Sequence, residues 1–590
     1  MRSLRVLIVL SFAVASLALT TGTAHAALTC AGYGARTSAD PNNNPLTGDP
    51  NPDMEGTSAG ETIMGTPGSD VIIGGGGNDI IYGNGGMDQI CGDDDSHVGS
   101  GNDTIYGGTE NDVLLPGGGN DDVFGGTVTV DENISDQLAY ATAPAGTQGM
   151  HIDVQTGTAY DNATAGANDS DLFTGIEVIS GTPYDDTMIG SDETDDYFAG
   201  EFGDDHMEGK GGIDALSLQG ALGGVNVFLE GGTASGMGDD TFSSMEYIIG
   251  SEYRDFLVGS EANNVIFGGD GDDYIWGRGG NDPIVGQGGN DHLFGGAGEI
   301  DWIAHEDRPD LPVTVNFSTG TVTRSDGTDE IFGFELTNGS QQADTFIGNN
   351  GTNFFIADAG ADVVDGGGGS DLIAYFRAPT AINGDLDDTG INVTGFGNDM
   401  VKNMEQMTGT PYNDVIRGTP GNNYLNGLDG HDKIFSEGGA DYIIGGKGND
   451  KVDGGGGLTD LLDFSGATTK ITADLQTGKA TGEGNDTLKA LEQLSGSPYG
   501  DVLRGNNAAN KFLGAFGNDK LFGRGGNDAL SGQDGNDQID GAGGKDVCNT
   551  KNESKNCESY TIPKDHPLLE VSRRYKRLED LDRRYKRRYK

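Results

Sequence analysis

Residues Gly268–Gly296 read GGDGDDYIW-GRGGNDPIV-GQGGNDHLF-GG, a pattern that returns every nine residues. Glycines at positions one, two and four permit positive φ and tight turns. Position five is often Asn, which tolerates the left-handed region. Position six is Asp, a hard anionic oxygen donor. Positions seven to nine suit a very short strand, and only its middle residue points inward, because side chains alternate. Nine residues thus give one turn and one strand. Two such units give one coil of a flattened right-handed β-helix, so that turns eighteen residues apart stack on the same edge. The expected fold class is all-β: a right-handed parallel β-roll or β-helix solenoid of stacked nonapeptide turns, with longer spacer coils.

The same register opens at Gly56, is interrupted by an insertion over Gly92–His97, and resumes through Pro116. It returns from Gly181, Gly250, Gly339, Gly409 and Gly496. Between tracts lie five segments that resemble one another, beginning DQLAY at 136, DALSL at 214, DWIAH at 301, DLIAY at 371 and DLLDF at 460. The larger unit of duplication is one spacer plus one tract, about 70–90 residues. The expected organisation is a signal peptide over 1–26, a linker over 27–55 and a first tract over 56–135. Spacer-plus-tract units follow over 136–213, 214–300, 301–370, 371–459 and 460–559, then a basic tail over 560–590. Within the spacers, VNVFLEGGTASG (225–236) and ITADLQTGKATG (471–482) alternate apolar and polar residues about a Gly turn, as hairpin or solenoid strands do. The spacers are therefore expected to be longer, ion-poor coils that continue the stack, in preference to separate globular domains.

Along each edge, Asp carboxylates and glycine-loop carbonyls of successive coils should converge. An acidic, irregular, all-oxygen cage suits Ca2+, whereas Mg2+ wants stricter octahedral geometry. Zn2+ asks for His or Cys, and the 8 His are not clustered. Three-residue strands bury little apolar surface against the ordering entropy of so many glycines, and carboxylate rows repel. Ion binding would then supply folding free energy.

Through these repeats, GGGGNDIIY (74–82), GRGGNDALS (523–531) and GQDGNDQID (532–540) above all, the chain resembles the RTX, or haemolysin-type, calcium-binding nonapeptide-repeat family over most of residues 56–558. The resemblance implies a parallel β-roll with multiple Ca2+ in its turns, and does not by itself imply a toxin. It carries the Asp ligand onto Asp70, Asp79, Asp88, Asp103, Asp112 and Asp121 in the first tract, and onto Asp186, Asp195 and Asp204 in the second. The third offers Asp273, Asp282 and Asp291, and the fourth Asp344, Asp362 and Asp371. The fifth offers Asp414, Asp432, Asp441 and Asp450, and the last Asp501, Asp519, Asp528, Asp537 and Asp546. Position six is Glu61, Asn264, Asn353, Asn423 or Asn510 in several tract-opening coils, where weak or empty sites are expected. The bland alternative for any single Asp is a solvated turn carboxylate.

Arg2 and Arg5, an apolar run from Val6 to Leu19 and Ala24-His25-Ala26 form a secretory signal, which places the protein outside the cell or at its surface. The apolar run is short for a membrane span, and no later stretch is continuously apolar enough for one. The net charge of −58 makes nucleic acid a poor partner. The 4 Cys suit two disulfides in an exported chain. Cys548 and Cys557 fall at inward eighth positions, nine residues apart, where a bridge would cap the open end of the roll. Cys30 and Cys91 would form the other pair, although three pairings are open to four cysteines. The tail HPLLEVSRRYKRLEDLDRRYKRRYK (566–590) is basic, with Leu568, Val571, Tyr575 and Leu578 near helical spacing after Pro567. It could meet an anionic cell envelope, fold back on the acidic roll, or stay solvated.

Signals of catalysis are weak. Gly56-Thr57-Ser58-Ala59-Gly60 matches G-x-S-x-G, but without the strand and helix of a nucleophile elbow. His305-Glu306-Asp307-Arg308-Pro309 begins like a zinc-protease motif and lacks its second His. Outward ninth positions carry Tyr82, Tyr106, Phe124, Trp276 and Phe294. They would form a cross-strand ladder or a platform for a glycan or envelope partner. The reading is a secreted, non-enzymatic calcium-binding protein with a structural or adhesive role, weakly binding at about 10⁻⁴–10⁻³ M and folding on Ca2+. The runner-up classes are a hydrolase or polysaccharide lyase on a β-helix, and a plain Ca2+ buffer.

Overall fold

The computed structural model describes residues 54–93, 101–126, 136–140, 149–161, 170–298, 300–305, 308–387, 392–457, 459–549 and 553–557. The signal peptide, Cys30, Glu306, Asp307 and the basic tail lie outside them. Two compact units meet in sequence at Asp301 and Trp302. Among the described residues every regular element is a strand, and none is a helix long and apolar enough to cross a membrane.

In the first unit the opening stretch behaves as its period requires. Val265–Asp270 pairs in parallel with Pro283–Gly288, and Tyr274–Gly279 pairs in parallel with His292–Ala297. The partners are eighteen residues apart, with Ile275 opposite Leu293. Successive strands thus alternate between two sheets. Ile266, Ile275, Ile284 and Leu293, each the middle residue of its strand triplet, are fully buried between them. The second unit repeats the arrangement. Leu503 stacks over Leu521 and Phe512 over Leu530, all four buried. The core is one side chain wide per strand. Glycine at position one leaves room for the Asp side chain five residues on, which folds back over it. A Cβ built on Gly277 would lie 2.3 Å from the Asp282 carboxylate.

The spacers do continue the stack, and they add something the alternation only hinted at. On one sheet, Gln137–Ala139 pairs directly with Val178–Ser180 in the usual parallel register. On the other, Met150–Asp153, Thr158–Asp161 and Ser170–Thr174 form an antiparallel meander. Its last strand pairs with the preceding coil and its first with the following one. Asn226–Phe228, Thr233–Ser235 and Asp239–Ser243 do the same. In the second unit so do Thr472–Asp474, Lys479–Thr481 and Asn485–Lys489. The hairpin turn is made by a left-handed glycine, Gly232 at φ 61° and Gly478 at φ 64° in these two.

The ninth-position aromatics point outward and touch along the sheet. Tyr82, Tyr106 and Phe124 stack at 4.7 and 4.8 Å between centroids, and Trp276 meets Phe294 edge-on at 5.5 Å. At the far end, Cys548 sits fully buried opposite Leu530 and is bridged to Cys557. Cys557, however, is not at an inward strand position. The last strand, Glu553–Lys555, places Ser554 opposite Ile539, so this final lap is fifteen residues instead of eighteen, and Cys557 lies just beyond it. Cys91 is also disulfide-bonded, to a residue outside those described.

Candidate metal centres in the turn rows

Each position-six Asp ends its turn and starts a strand, and its carboxylate is drawn inward. One oxygen is always spent on the backbone. Asp273 Oδ1 accepts the amide of Asp255 at 2.8 Å, and Asp291 Oδ1 accepts that of Asp273 at 3.0 Å. The same step runs from Asp70 through Asp88 to Asp112, and from Asp79 through Asp103 to Asp121. In the second unit it runs from Asp344 to Asp362, Asn353 to Asp371, Asp414 through Asp432 to Asp450, and Asn423 to Asp441. It continues from Asp501 through Asp519 to Asp537 and from Asn510 through Asp528 to Asp546. Every one of these carboxylates is buried, so none is the solvated turn acid of the bland reading.

The other oxygen separates the turns into two kinds. In Asp79, Asp88, Asp103, Asp112, Asp121, Asp273, Asp282, Asp362, Asp371, Asp432, Asp519, Asp528, Asp537 and Asp546, Oδ2 is buried and accepts no hydrogen bond from the described residues. Such an oxygen costs free energy unless something meets it. Carbonyl oxygens of the adjacent coil crowd the same spot. A Cβ on Gly277 would lie 2.4 Å from the Gly295 carbonyl oxygen as well as against Asp282, and one on Gly514 would lie 2.3 Å from Asp519 Oδ2 and 2.7 Å from the Gly532 carbonyl. Burial, with the neighbouring row carboxylates second to it, pushes Asp88 up to about 7, Asp112, Asp273 and Asp432 to about 8, and Asp121 to about 9. These are sites that ask for positive charge. The second kind, at Asp70, Asp186, Asp344, Asp414 and Asp501, is already satisfied from within its own turn. Asp501 Oδ2 accepts the Ser497 amide at 2.6 Å, while Oδ1 accepts the Ser497 hydroxyl at 2.7 Å and the Ile471 amide at 2.6 Å.

The second tract needs a correction. Asp195 and Asp204 are not in the inner row; Asp196 and Asp205 are, with Asp196 donating its amide to Asp214 and Asp186 its own to Asp205. The turn from Gly190 is one residue longer, and paired acids allowed either register. Asp195 and Asp204 belong to an outer row, accepting the amides of Ile213 and Asp239. That outer row also corrects the reading of Asn at position five. None of these Asn residues has positive φ; those values fall at positions two and four, as in Arg278 and Gln287 at position two. Position five instead bonds coil to coil, as Asn102 Oδ1 does to the Asn120 amide at 3.2 Å.

Sequence reading also missed the row residues that the spacers supply. Asp171, Asp240, Asp399 and Asp486 accept the amides of Asp121, Asp205, Asp362 and Asp450 across up to 50 residues of chain. On the opposite edge Glu177, Glu246, Glu405 and Glu492 take the equivalent place. The signal was present: SDLF (170–173), DDTF (239–242), NDMV (398–401) and NDTL (485–488) keep the acid-x-apolar ending of the repeat.

Among the described residues no three His, Cys, Asp or Glu side chains converge as a metal group. The donors on offer are one carboxylate oxygen per turn and backbone carbonyls, a hard oxygen set that fits Ca2+ and not Zn2+. When bound, the ion would supply the charge that the buried Asp oxygens lack. The chain's own part is to hold those oxygens inward through the amide row and to leave room for them with glycine. No curated protein matches the chain. A family description, the RTX calcium-binding nonapeptide repeat in four copies, matches residues 55–90, 92–127, 173–203, 180–216, 249–284, 276–299, 338–373, 408–443, 434–458, 492–521 and 513–548. Together these spans cover more than half of the 590 residues. With its β-roll and its rows of inward carboxylates, the chain belongs to the RTX calcium-binding nonapeptide-repeat family.

Proposed function

We propose that this is a secreted calcium-binding β-roll that folds as Ca2+ joins one coil to the next, and that its role outside the cell is structural or adhesive, without catalysis. The observation that carries the reading is the set of buried Asp Oδ2 atoms, in rows within each unit, with no donor among the described residues. Water-poor carboxylates in a file stay ionised at neutral pH only with a cation among them. The assigned ligands are Asp79, Asp88, Asp103, Asp112, Asp121, Asp205, Asp214, Asp273, Asp282, Asp362, Asp371, Asp432, Asp519, Asp528, Asp537 and Asp546. Adhesion is favoured by an outward aromatic surface on the first unit, where Trp276 is 43% and Phe228 42% exposed. Beside it a cavity of about 420 Å³ is lined by Phe228, Glu230, Thr233 and Arg278.

The test is a circular-dichroism titration of the mature chain with CaCl2, repeated with MgCl2 and after EGTA. Strand signal should appear with Ca2+ in the submillimolar to millimolar range and vanish on chelation. Equal structure under all three conditions would refute the reading. Pull-down on cell envelopes, with and without Trp276→Ala and with and without residues 562–590, tests the adhesive role; no retention by the Ca2+-loaded chain speaks against it.

A further inference from the structure

Every tract opens with two turns, one on each edge, that differ from all the turns behind them. Position two is then Ser, Thr or Asn: Thr57 and Thr66, Thr182 and Ser191, Ser251 and Ser260, Ser340 and Asn349, Thr410 and Thr419, Ser497 and Asn506. In each, the position-two amide donates to the acid or amide that ends its own turn, at 2.5–2.9 Å. In the aspartate turns of Thr66, Thr182, Ser251, Ser340, Thr410 and Ser497 the hydroxyl adds a second bond at 2.7–3.1 Å.

Behind these opening coils the backbone takes the other form. In most of the turns there, position two lies in the left-handed region, as in Gly269 at φ 104°, Ala515 at 72°, Gln533 at 65° and Ala542 at 65°; Asp358, before the open Asp362, is an exception. The Asp that follows in each, at 273, 519, 537 and 546, keeps a buried Oδ2 with no donor. No opening-coil residue at position two has positive φ. The reason is local: β-branched Thr avoids that region, and Ser and Thr hydroxyls reach a nearby acceptor readily. The far ends of some rows are closed too. Tyr140 donates to Asp171 Oδ2 at 2.8 Å and Tyr375 to Asp399 Oδ2 at 2.9 Å.

We propose that position two decides whether a turn takes calcium: Ser or Thr there plugs the turn, as Asn does in an opening coil, so each ion row starts one full coil inside its tract; Asn84, left-handed at φ 77° behind the opening coils, leaves Asp88 open. This rests on the calcium reading above. It deepens that reading by assigning Asp70, Asp186, Asp344, Asp414 and Asp501, ligands by simple register, to the plugged class.

The test counts calcium per chain on the full mature protein, by equilibrium dialysis against CaCl2 followed by metal analysis. One variant opens plugged turns: Ser251→Gly, Ser340→Gly and Ser497→Gly. A second plugs open ones: Ala515→Thr, Gln533→Thr and Ala542→Thr. Expected is a gain of about one ion per opened turn and a loss of about one per plugged turn. If the second variant does not fold, the first decides. An unchanged count in a folded variant overturns the inference while leaving the calcium reading intact. A parent protein that binds no calcium overturns that reading instead.

Discussion

At the residue scale the molecule depends on an Asp that does two jobs with two oxygens. Oδ1 replaces a coil-to-coil backbone bond, and Oδ2 is the oxygen proposed to meet the ion. The jobs come apart by substitution. Asp519→Asn should keep the bond from the Asp501 amide and lose calcium, since an amide oxygen at this position accepts a backbone N–H as a carboxylate does, although the natural Asn264 and Asn510 do so within their own turns, from Ser260 and Asn506. Asp519→Ala should lose both, costing about 1–2 kcal/mol more than Asn in urea melts under saturating Ca2+. Equal melts for the two variants would show that the amide bond contributes nothing. Gly277→Ala is expected to destabilise by about 1–3 kcal/mol, since its Cβ meets both Asp282 and the Gly295 carbonyl. Much of this was readable from periodicity, because one apolar and one acidic letter per nine suffices to place both rows. What was not readable was the choice between adjacent acids in Asp195-Asp196 and Asp204-Asp205. Spacing admits either, and only burial distinguishes them.

At the element scale the turn is the unit that responds to pH. Burial raises the folded-state values of Asp88, Asp103, Asp112, Asp273 and Asp432 from 3.8 to about 7 or 8. A carboxyl raised in this way holds its proton more tightly in the folded chain. Without calcium it therefore costs nothing below about pH 4, where both states are protonated. The penalty grows as pH rises through the window to about 8, then levels off. Any strand signal that survives in EGTA at pH 5 should be lost by pH 8, and the gap to the signal in CaCl2 should widen over the same range. A gap that stays constant would exclude these carboxyls as the ion sites. The spacer meanders lay half in view. Alternation in VNVFLEGGTASG announced a hairpin. That its outer strands would join two different coils was hidden, because pairing between strands up to fifty residues apart leaves no local pattern. The disulfide was legible as a pair, and its lap was not, since a three-residue shortfall changes register without changing composition. Replacing Cys548 and Cys557 with Ser should cost about 2–3 kcal/mol, the loop-closure value for so short a loop, with loss of exchange protection concentrated in residues 529–549.

At the scale of the whole molecule, a net charge of −58 opposes compaction, and two explanations of the folding by calcium proposed above can be told apart. Screening by salt acts on exposed charge and reaches about 3 Å at 1 M; it cannot satisfy a buried oxygen. Sodium chloride at that strength, added in EGTA, should leave the far-ultraviolet spectrum unfolded. Recovery of strand signal would mean that general repulsion, and not ligation, keeps the free chain open. The shortened last lap carries a different implication. A long parallel stack ordinarily finishes in a row of free amides and carbonyls on which a second molecule could lay its own strand and continue the spiral. Here the last described lap is three residues short of the eighteen-residue coil, and the bridge from Cys548 to Cys557 ties it closed. Reducing that bridge is the change expected to free the edge for end-to-end growth, read as a rise in light scattering of the Ca2+-loaded chain.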